Sequence, residues 1–365
     1  MAYAFRPNAV TEIAGRALTA AQAGLQRLDI TLGLGCHGWA VLSLWPGSRF
    51  ADAAPGDALT LALGPMGDEV AVLTGTVSAR RQEAGAVVIE ALDLSGTLGR
   101  ARSTLTFEAT PIADIVQRLA DVASLKTDTD TTEELPIYYV QADRPLWDHL
   151  RDLARLTGRD LGVDAAGVLL FRKPDAGATH TLRYGAELIR WQVSAAETPV
   201  PVSRGAHGTA SQSGNWHWID ADPLGEAPGA ARIDGALNDR DLAATATDAA
   251  TGRAARAAWA GWLLVTGDAA LRPADSIAVT GLPGGDPAPL RIRSIRHRLD
   301  GATGLPHGLM SKAVAQPPGR RGCYDHHDRH IARHHQARDR RPKAAGIGSG
   351  AGCFSRRRGR GQPSG

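Results

Sequence analysis

At 365 residues, 43% of them hydrophobic, the chain is long enough for two or three domains with buried cores. Its formal net charge of +3 is unevenly spread: residues 319–365 hold eleven Arg and one Lys against three Asp, a net of +9, which leaves −6 for the first 318 residues. The basic balance belongs to the tail, and the body offers no electrostatic argument for nucleic-acid binding, which needs a basic folded surface. Cys36, Cys323 and Cys353 are too few and too scattered for a disulfide framework or a metal knuckle. No stretch of about eighteen apolar residues occurs, and MAYAFRPNAV lacks the basic-then-apolar pattern of a leader. Neither export nor a membrane span is expected, and synthesis in a reducing cytoplasm is the simplest reading. With 42 Gly, 21 Pro and only 5% aromatic residues, turns should be frequent and strands short, which favours a β-rich protein.

From about residue 25 to 95 the chain alternates at period two. Leu28, Ile30 and Leu32 form one series, then Leu42 and Leu44, then Leu59, Leu61 and Leu63 after the turn signal Pro55-Gly56-Asp57, then Val70 and Val72, and lastly Val87 to Leu92. Short alternating strands with frequent Gly predict a small, closed or nearly closed barrel, because closure removes edge strands.

Two helices stand between Thr106 and Arg172. In the first, Thr110 is placed to cap, Pro111 supplies the first turn, and Ile112, Ile115, Val116 and Leu119 share one face. An acidic linker and a strand containing Tyr138, Tyr139 and Gln141 follow. In the second helix Pro145 sits at the start, Leu146, Leu150 and Leu153 form the buried stripe, and Gly158 provides a left-handed stop. A hairpin comes next: Leu161 and Val163, a turn at Ala165-Ala166-Gly167, and a return through Val168, Leu170 and Phe171.

After Lys173 the pattern is less regular. Trp191-Gln192-Val193 and Val200 to Val202 read as strands, and Arg204 to Gly214 as an exposed Gly/Ser-rich loop. The Ala-rich segment from about 239 to 262 predicts a helix. Leu263 to Val265, Ser276 to Thr280 and Leu290 to Ile295 are the next strands. Beyond about Leu305 the alternation needed for a closing strand is lost in LPHGLMSKAVAQPPGRRG and an Arg, Gly and Pro mixture. That segment is expected to be disordered, or a frameshifted reading of a GC-rich gene, since it holds too little apolar surface to offset its ordering entropy.

The order of helix, Gln-bearing strand, Trp-bearing helix ending in Gly, and hairpin resembles the central part of the phage late control D family, the baseplate hub proteins of contractile tails and related injection machines. The residues that carry it are Asp114, Ile115 and Val116, then Gln141, then Trp147, Leu150, Leu153, Ala154 and Gly158. Both flanks match as well. On one side stand Pro55-Gly56-Asp57, Thr74-Gly75-Thr76-Val77, and Leu92-Asp93 before Leu98; on the other, Gly267-Asp268, Leu271-Arg272-Pro273, Asp275-Ser276-Ile277 and a strand ending near His297. The family's usual Gly in the latter Pro-Gly-Asp turn is Ala274 here, which leaves the turn type open.

The expected fold is therefore α+β and β-rich, with two small barrel-like tube domains flanking a helix-strand-helix-hairpin module. Residues 1–105 form the first tube domain, 106–180 the module, 181–304 the second tube domain with its helix near 239–262, and 305–365 the basic tail. The resemblance implies a non-enzymatic homotrimer, assembled in the bacterial cytoplasm into the baseplate of a virion or injection particle. Its partners would be a spike protein, a tail tube protein and other baseplate proteins, with a channel whose lining is polar and not strongly basic. No oligonucleotide-binding barrel or repetitive β-helix stretch stands in the sequence, so the spike is expected on a separate subunit.

Several constellations have the residue types of chemistry without its context. Gly33-Leu34-Gly35-Cys36-His37-Gly38 has dinucleotide-fingerprint spacing but is followed by the strand-like Trp39 to Trp45 where a helix is required, so a Gly-rich hairpin is expected. His326, His327, His330, His334 and His335 include an i, i+4 pair without the Glu of a metalloprotease, since Ile331 stands in its place. Glu133 and Glu134 read as part of a solvated loop rather than a catalytic pair. Trp147 reads as a core or inter-domain anchor, and Trp216, His217 and Trp218 as core packing or a subunit contact. No catalytic, cofactor-binding or metal residue is assigned. Two alternatives remain: a tail-associated cell-wall hydrolase, and a nucleic-acid-binding protein acting through the basic tail.

Overall fold

The computed structural model describes residues 7–174, 178–195, 204–209, 216–220, 232–233, 240–257, 259–286, 289–300 and 308–315. The chain opens with a hairpin, β1 (Pro7–Ile13) and β2 (Arg16–Thr19), whose two-residue turn takes positive φ at both Ala14 (49°) and Gly15 (79°), the twist that suits antiparallel strands. A single helical turn, α1 (Ala20–Ala23), is closed by a Thr19/Gln22 capping box and a left-handed Gly24. Then come β3 (Leu25–Gly33), β4 (Trp39–Leu44), β5 (Ala58–Pro65), β6 (Val70–Gln82) and β7 (Val87–Asp93). The expected leucine series of β3, β4 and β5 all point into the core. Val70 does not: it is exposed, because β6 carries an extra residue against Leu61/Ala62 that turns both Val72 and Leu73 inward.

The lateral segment contains α2 (Ser95–Arg100), β8 (Leu105–Pro111), α3 (Ile112–Asp121), β9 (Thr127–Thr129), β10 (Glu134–Val140), α4 (Leu146–Thr157), β11 (Asp160–Val163) and β12 (Leu169–Arg172). Both apolar stripes are buried as expected, and Gly158 ends α4 at φ 69°. Thr110 is not the cap of α3. It belongs to β8, opposite Leu135, and its hydroxyl donates to the Glu108 carbonyl at 2.9 Å, so Pro111 occupies the cap position without a side-chain acceptor. The hairpin buries Leu161, Leu169 and Phe171, a frame one residue removed from the expected Val168 and Leu170.

The remaining elements are β13 (Thr179–Arg183), β14 (Leu188–Ala195), β15 (Arg204–Thr209), β16 (Trp216–Asp220), β17 (Arg232–Ile233), α5 (Arg240–Ala257), β18 (Trp259–Thr266), β19 (Ser276–Thr280), β20 (Leu290–Arg291), β21 (Ser294–Asp300) and β22 (Gly308–Ala315). Three expectations are corrected here. Arg204 to Thr209 is a strand paired with β16, not a loop. The Ala-rich helix stops at Ala257, and Trp259 to Trp262 open β18, where bulky aromatics fit a pleated surface better than a helix end. The tail as drawn from residue 305 begins too early, since Gly308–Ala315 is a strand that pairs with both β18 and β21. Adjacent Leu309 and Met310 followed by Ser311 and Ala313 blur the alternation, and the two flanking ladders pair its backbone. Val200 to Val202 and residues 316–365, with Cys323, Cys353 and the tail histidines, lie outside the described residues.

The protein is β-rich α+β with a curled sheet. Among the described residues, strands of both flanks join into one eleven-stranded sheet in the order β14-β18-β22-β21-β3-β4-β7-β6-β5-β1-β2. The seam is the antiparallel pair β21 and β3, with Ile295 opposite Leu32 and Leu299 opposite Leu28. One face of this sheet, together with the small sheet β13-β19-β20, closes over a continuous apolar core that runs from Ala9 to Leu299. A second core belongs to the lateral segment, built from α3, α4, the hairpin and Leu98, and it also takes Leu242 and Ala246 of α5. The helix of the C-terminal flank thus packs on α4 of the lateral module and on β15 and β16 of its own flank.

Candidate functional site: the open sheet face and the module junction

The sheet meets the lateral module through backbone-directed bonds. Gly35, at φ 73° in the β3–β4 connection, donates its N–H to the Leu161 carbonyl at 2.6 Å, and the Thr74 hydroxyl donates to the Ala165 carbonyl at 2.7 Å. An Arg291–Asp160 ion pair ties β20 to the same hairpin. The Gly-rich run is therefore a connection between strands, as expected, and its glycines let it lie against the module.

At this junction His37, Ser95 and Asp93 form a polar chain. The His37 Nδ1 is 2.6 Å from the Ser95 hydroxyl, which donates in turn to Asp93 through a short bond. Asp93 also accepts the N–H of Gly38 at 2.7 Å and that of Ser95 at 3.1 Å. Because the serine proton is directed to the carboxylate, the hydroxyl accepts from His37, which places the imidazole proton on Nδ1. Burial pushes Asp93 up to about 6 against the hydrogen bonds from Ser95, Gly38 and Gly96, and pushes His37 down to about 4, where Asp148 partly offsets it while Arg151 and Arg100 add to the shift.

Three such residues in contact invite comparison with a hydrolase triad. In a triad the imidazole stands between hydroxyl and carboxylate and takes the hydroxyl proton. Here the hydroxyl stands in the middle with its proton committed to Asp93, and Ser95 is fully buried. The arrangement satisfies buried polar groups and generates no nucleophile. The His37 ring also lies 4.9 Å from that of Trp147, so Trp147, buried in the module core, touches the connection between β3 and β4.

The acidic linker is less solvated than expected. Arg159, whose side chain is 3% exposed, gives its Nε to Asp130 at 2.9 Å and one terminal nitrogen to both oxygens of Glu133 at 3.1 and 3.0 Å. Glu134 opens β10. Glu133 thus anchors the linker to the end of α4, a role hidden in the sequence because Arg159 follows a helix-ending Gly and reads as surface. Trp216, His217 and Trp218 lie on β16 as expected of a strand. Among the described residues no group of His, Cys, Asp or Glu could hold a metal ion, and none of the helices described is long and apolar enough to cross a membrane.

The second polar feature is on the sheet face turned away from the core. Asp29 sits at the β3–β21 seam with only 7% of its side chain exposed, ringed by three arginines. One carboxylate oxygen accepts Arg298 Nε at 2.8 Å and Arg296 Nε at 3.0 Å; the other accepts Arg27 Nε at 2.6 Å. Burial would raise the carboxyl, but the hydrogen bond from Arg298 and the charges of Arg296, Arg27 and Arg298 hold it below the usual carboxylate range. Nothing in the sequence pairs these residues; the topology does.

No protein-family model matches the sequence, and no curated protein does. Solved structures do. The 43 kDa tail protein of prophage MuSo2 from Shewanella oneidensis aligns with a TM-score of 0.62 at 17% identity, over 85% of this chain and 98% of its own. A tail protein from Neisseria meningitidis MC58 gives 0.64 at 12% identity, over 84% and 95%. The E. coli c3393 protein, described as a component of the type VI secretion system with structural similarity to T4 bacteriophage tail proteins gp27 and gp5, gives 0.56 at 11% identity, over 85% and 77%. The fold is the one these phage-tail and secretion-system proteins share.

Proposed function

We propose that this protein is a structural baseplate hub of a contractile phage tail or phage-derived injection particle, of the late control D type. A single observation carries the reading: 85% of the chain aligns with 98% of one tail protein, and 84% of it with 95% of another. Residues 1–105 and 181–304 would supply two tube domains per subunit and 106–180 a lateral module between them. Three subunits would then present six tube-like units in a ring. Symmetry gives this a physical purpose, since a three-fold spike and a six-fold tube cannot share one interface unless an intermediate shows three-fold symmetry at one end and approximate six-fold symmetry at the other.

On this reading the partners are two further copies of the chain, a separate spike protein, the tail tube protein and other baseplate proteins. The work is mechanical: holding the spike, nucleating the tube and leaving a channel, with no catalytic group. The inverted order of His37, Ser95 and Asp93 supports the non-enzymatic part. Mass measurement in solution tests the assembly. A trimer is expected, and a stable monomer that binds neither spike nor tube protein would overturn the hub. Hydrolysis of peptidoglycan by the purified chain would favour the hydrolase instead.

A further inference from the structure

The body of the chain is acidic in sum, yet its basic side chains are not spread evenly over the fold. Along the β14-β18-β22-β21-β3 half of the sheet, Arg190 lies opposite Leu264, Leu264 opposite Lys312, Lys312 opposite Arg296, and Arg296 opposite Thr31, one unbroken cross-strand row. Arg298 stands two residues from Arg296, and Arg27 two residues from Asp29 on the neighbouring strand. Residues two apart on a strand point to the same side. Trp191, Leu263, Ile295 and Ile30 face the core, so Arg190, Arg296, Arg298 and Arg27 face away from it. The acidic groups at these register positions are Asp29, which the arginines cover, and Asp300, opposite Arg27.

We infer that this open face is a contact surface for the phosphodiester backbone of a nucleic acid, bound without sequence readout. One carboxylate offsets only one of the three guanidinium charges around it, so the Asp29 cluster keeps a surplus of positive charge on arginines that are each 40–44% exposed. Each spends its Nε on the carboxylate. Among the described residues the terminal nitrogens of Arg27 and Arg298 make no hydrogen bond, which leaves them as donors of the kind that clasp phosphate oxygens. Trp39, partly buried and next to Thr31 in the same row, adds an aromatic surface on which a base can stack.

An acidic protein is the poorer fit. A protein interface needs a large apolar anchor at its centre, and of the exposed large apolar side chains described only Ile189 stands on the strands of this face, at its β14 edge and not at its centre. The surface does not depend on the trimer, and its failure would leave the hub reading untouched.

The test is fluorescence anisotropy of the full chain with a labelled single-stranded oligothymidylate across a salt series. Arg190→Glu/Lys312→Glu leaves the ion pairs of Asp29 intact. Arg27→Gln/Asp29→Asn/Arg298→Gln removes the carboxylate together with two of its partners, so that no buried charge is stranded. Each is expected to weaken binding several-fold and to reduce the salt slope by about 0.7 for every phosphate that is no longer neutralised. Arg49→Glu/Arg118→Glu, which makes the same charge change as Arg190→Glu/Lys312→Glu outside the strands of this face, is expected to have much less effect than that variant. Affinity and slope unchanged in both face variants, as binding by the basic tail alone would give, would overturn the inference. So would an equal weakening in the control variant. Displacement of the oligonucleotide by polyglutamate at equal charge concentration would reassign the face to an acidic protein segment.

Discussion

Arg298 and Asp29 are 269 residues apart in the chain and directly opposite each other in the sheet, joined by a 2.8 Å hydrogen bond across the seam of the two flanks. Asp29→Ala should therefore leave three guanidiniums facing one another without their shared acceptor. Partial exposure lets water screen them, so the expected cost is about 1–3 kcal/mol rather than that of a fully buried broken pair. Urea unfolding measures it, and added salt should narrow the difference from the parent chain. A cost that salt does not alter would rule out repulsion as its source.

Ala274 occupies the third position of a turn in which the Asp275 N–H donates to the Arg272 carbonyl at 3.2 Å, and its φ is 82°. This is a type II turn after Pro273, the geometry that asks for glycine. Ala274→Gly should raise stability by about 1 kcal/mol, less the greater freedom of glycine in the unfolded chain. The expected signature is a higher urea midpoint at unchanged slope.

Gly75 is held by close approach. A Cβ there would lie 1.9 Å from the Leu92 carbonyl oxygen of the paired strand. Gly75→Ala is expected to cost roughly 3 kcal/mol or more, because backbone and not a flexible side chain must move. Loss of soluble protein, or a midpoint lowered in that proportion, checks it.

Acid should destabilise the protein before its carboxylates titrate. His297 is fully buried on β21; burial, with the Arg272 charge adding and a backbone hydrogen bond at Leu271 partly offsetting, pushes it down to about 3. The unfolded chain takes this proton near 6.5 and the folded chain only near 3, so stability is greatest above 6.5 and falls as pH drops toward 3, by about 1.4 kcal/mol per unit at most. His37, pushed down to about 4, acts in the same sense over a shorter window. Asp93 opposes both: raised to about 6, it adds stability below the unfolded carboxyl value, which is lost as pH rises through 6. His297→Met should flatten the decline between pH 6 and 4 in thermal melts; a melt whose acid decline is unaltered would assign it to other groups.

Period-two alternation was enough to locate β3, β4, β5 and β7, and helical stripes with Gly158 located α3 and α4, because these elements bury one face against a local core. Elements whose order comes from a partner strand were not legible. β1 begins at a proline, β15 is Gly-rich and β22 mixes Gly, Ser and Ala with Leu309, Met310 and Lys312, and each is fixed by ladders to other strands. The same holds for the polar groups. The partners of His37 lie 58 residues on, and the arginines around Asp29 come from both ends of the body, so spacing carried no sign of either cluster.

The position of β21 and β22 has a consequence for synthesis. They fill the gap between β18 and β3, so the hydrogen-bonding edge of β3, completed early, waits uncovered until β21 and β22 emerge from the ribosome. At usual elongation rates that interval is on the order of 10–50 s, during which an apolar, unpaired strand edge is open to the wrong neighbour. Separate N-terminal and C-terminal halves would each present one side of this seam, and co-expression should bring them together through it.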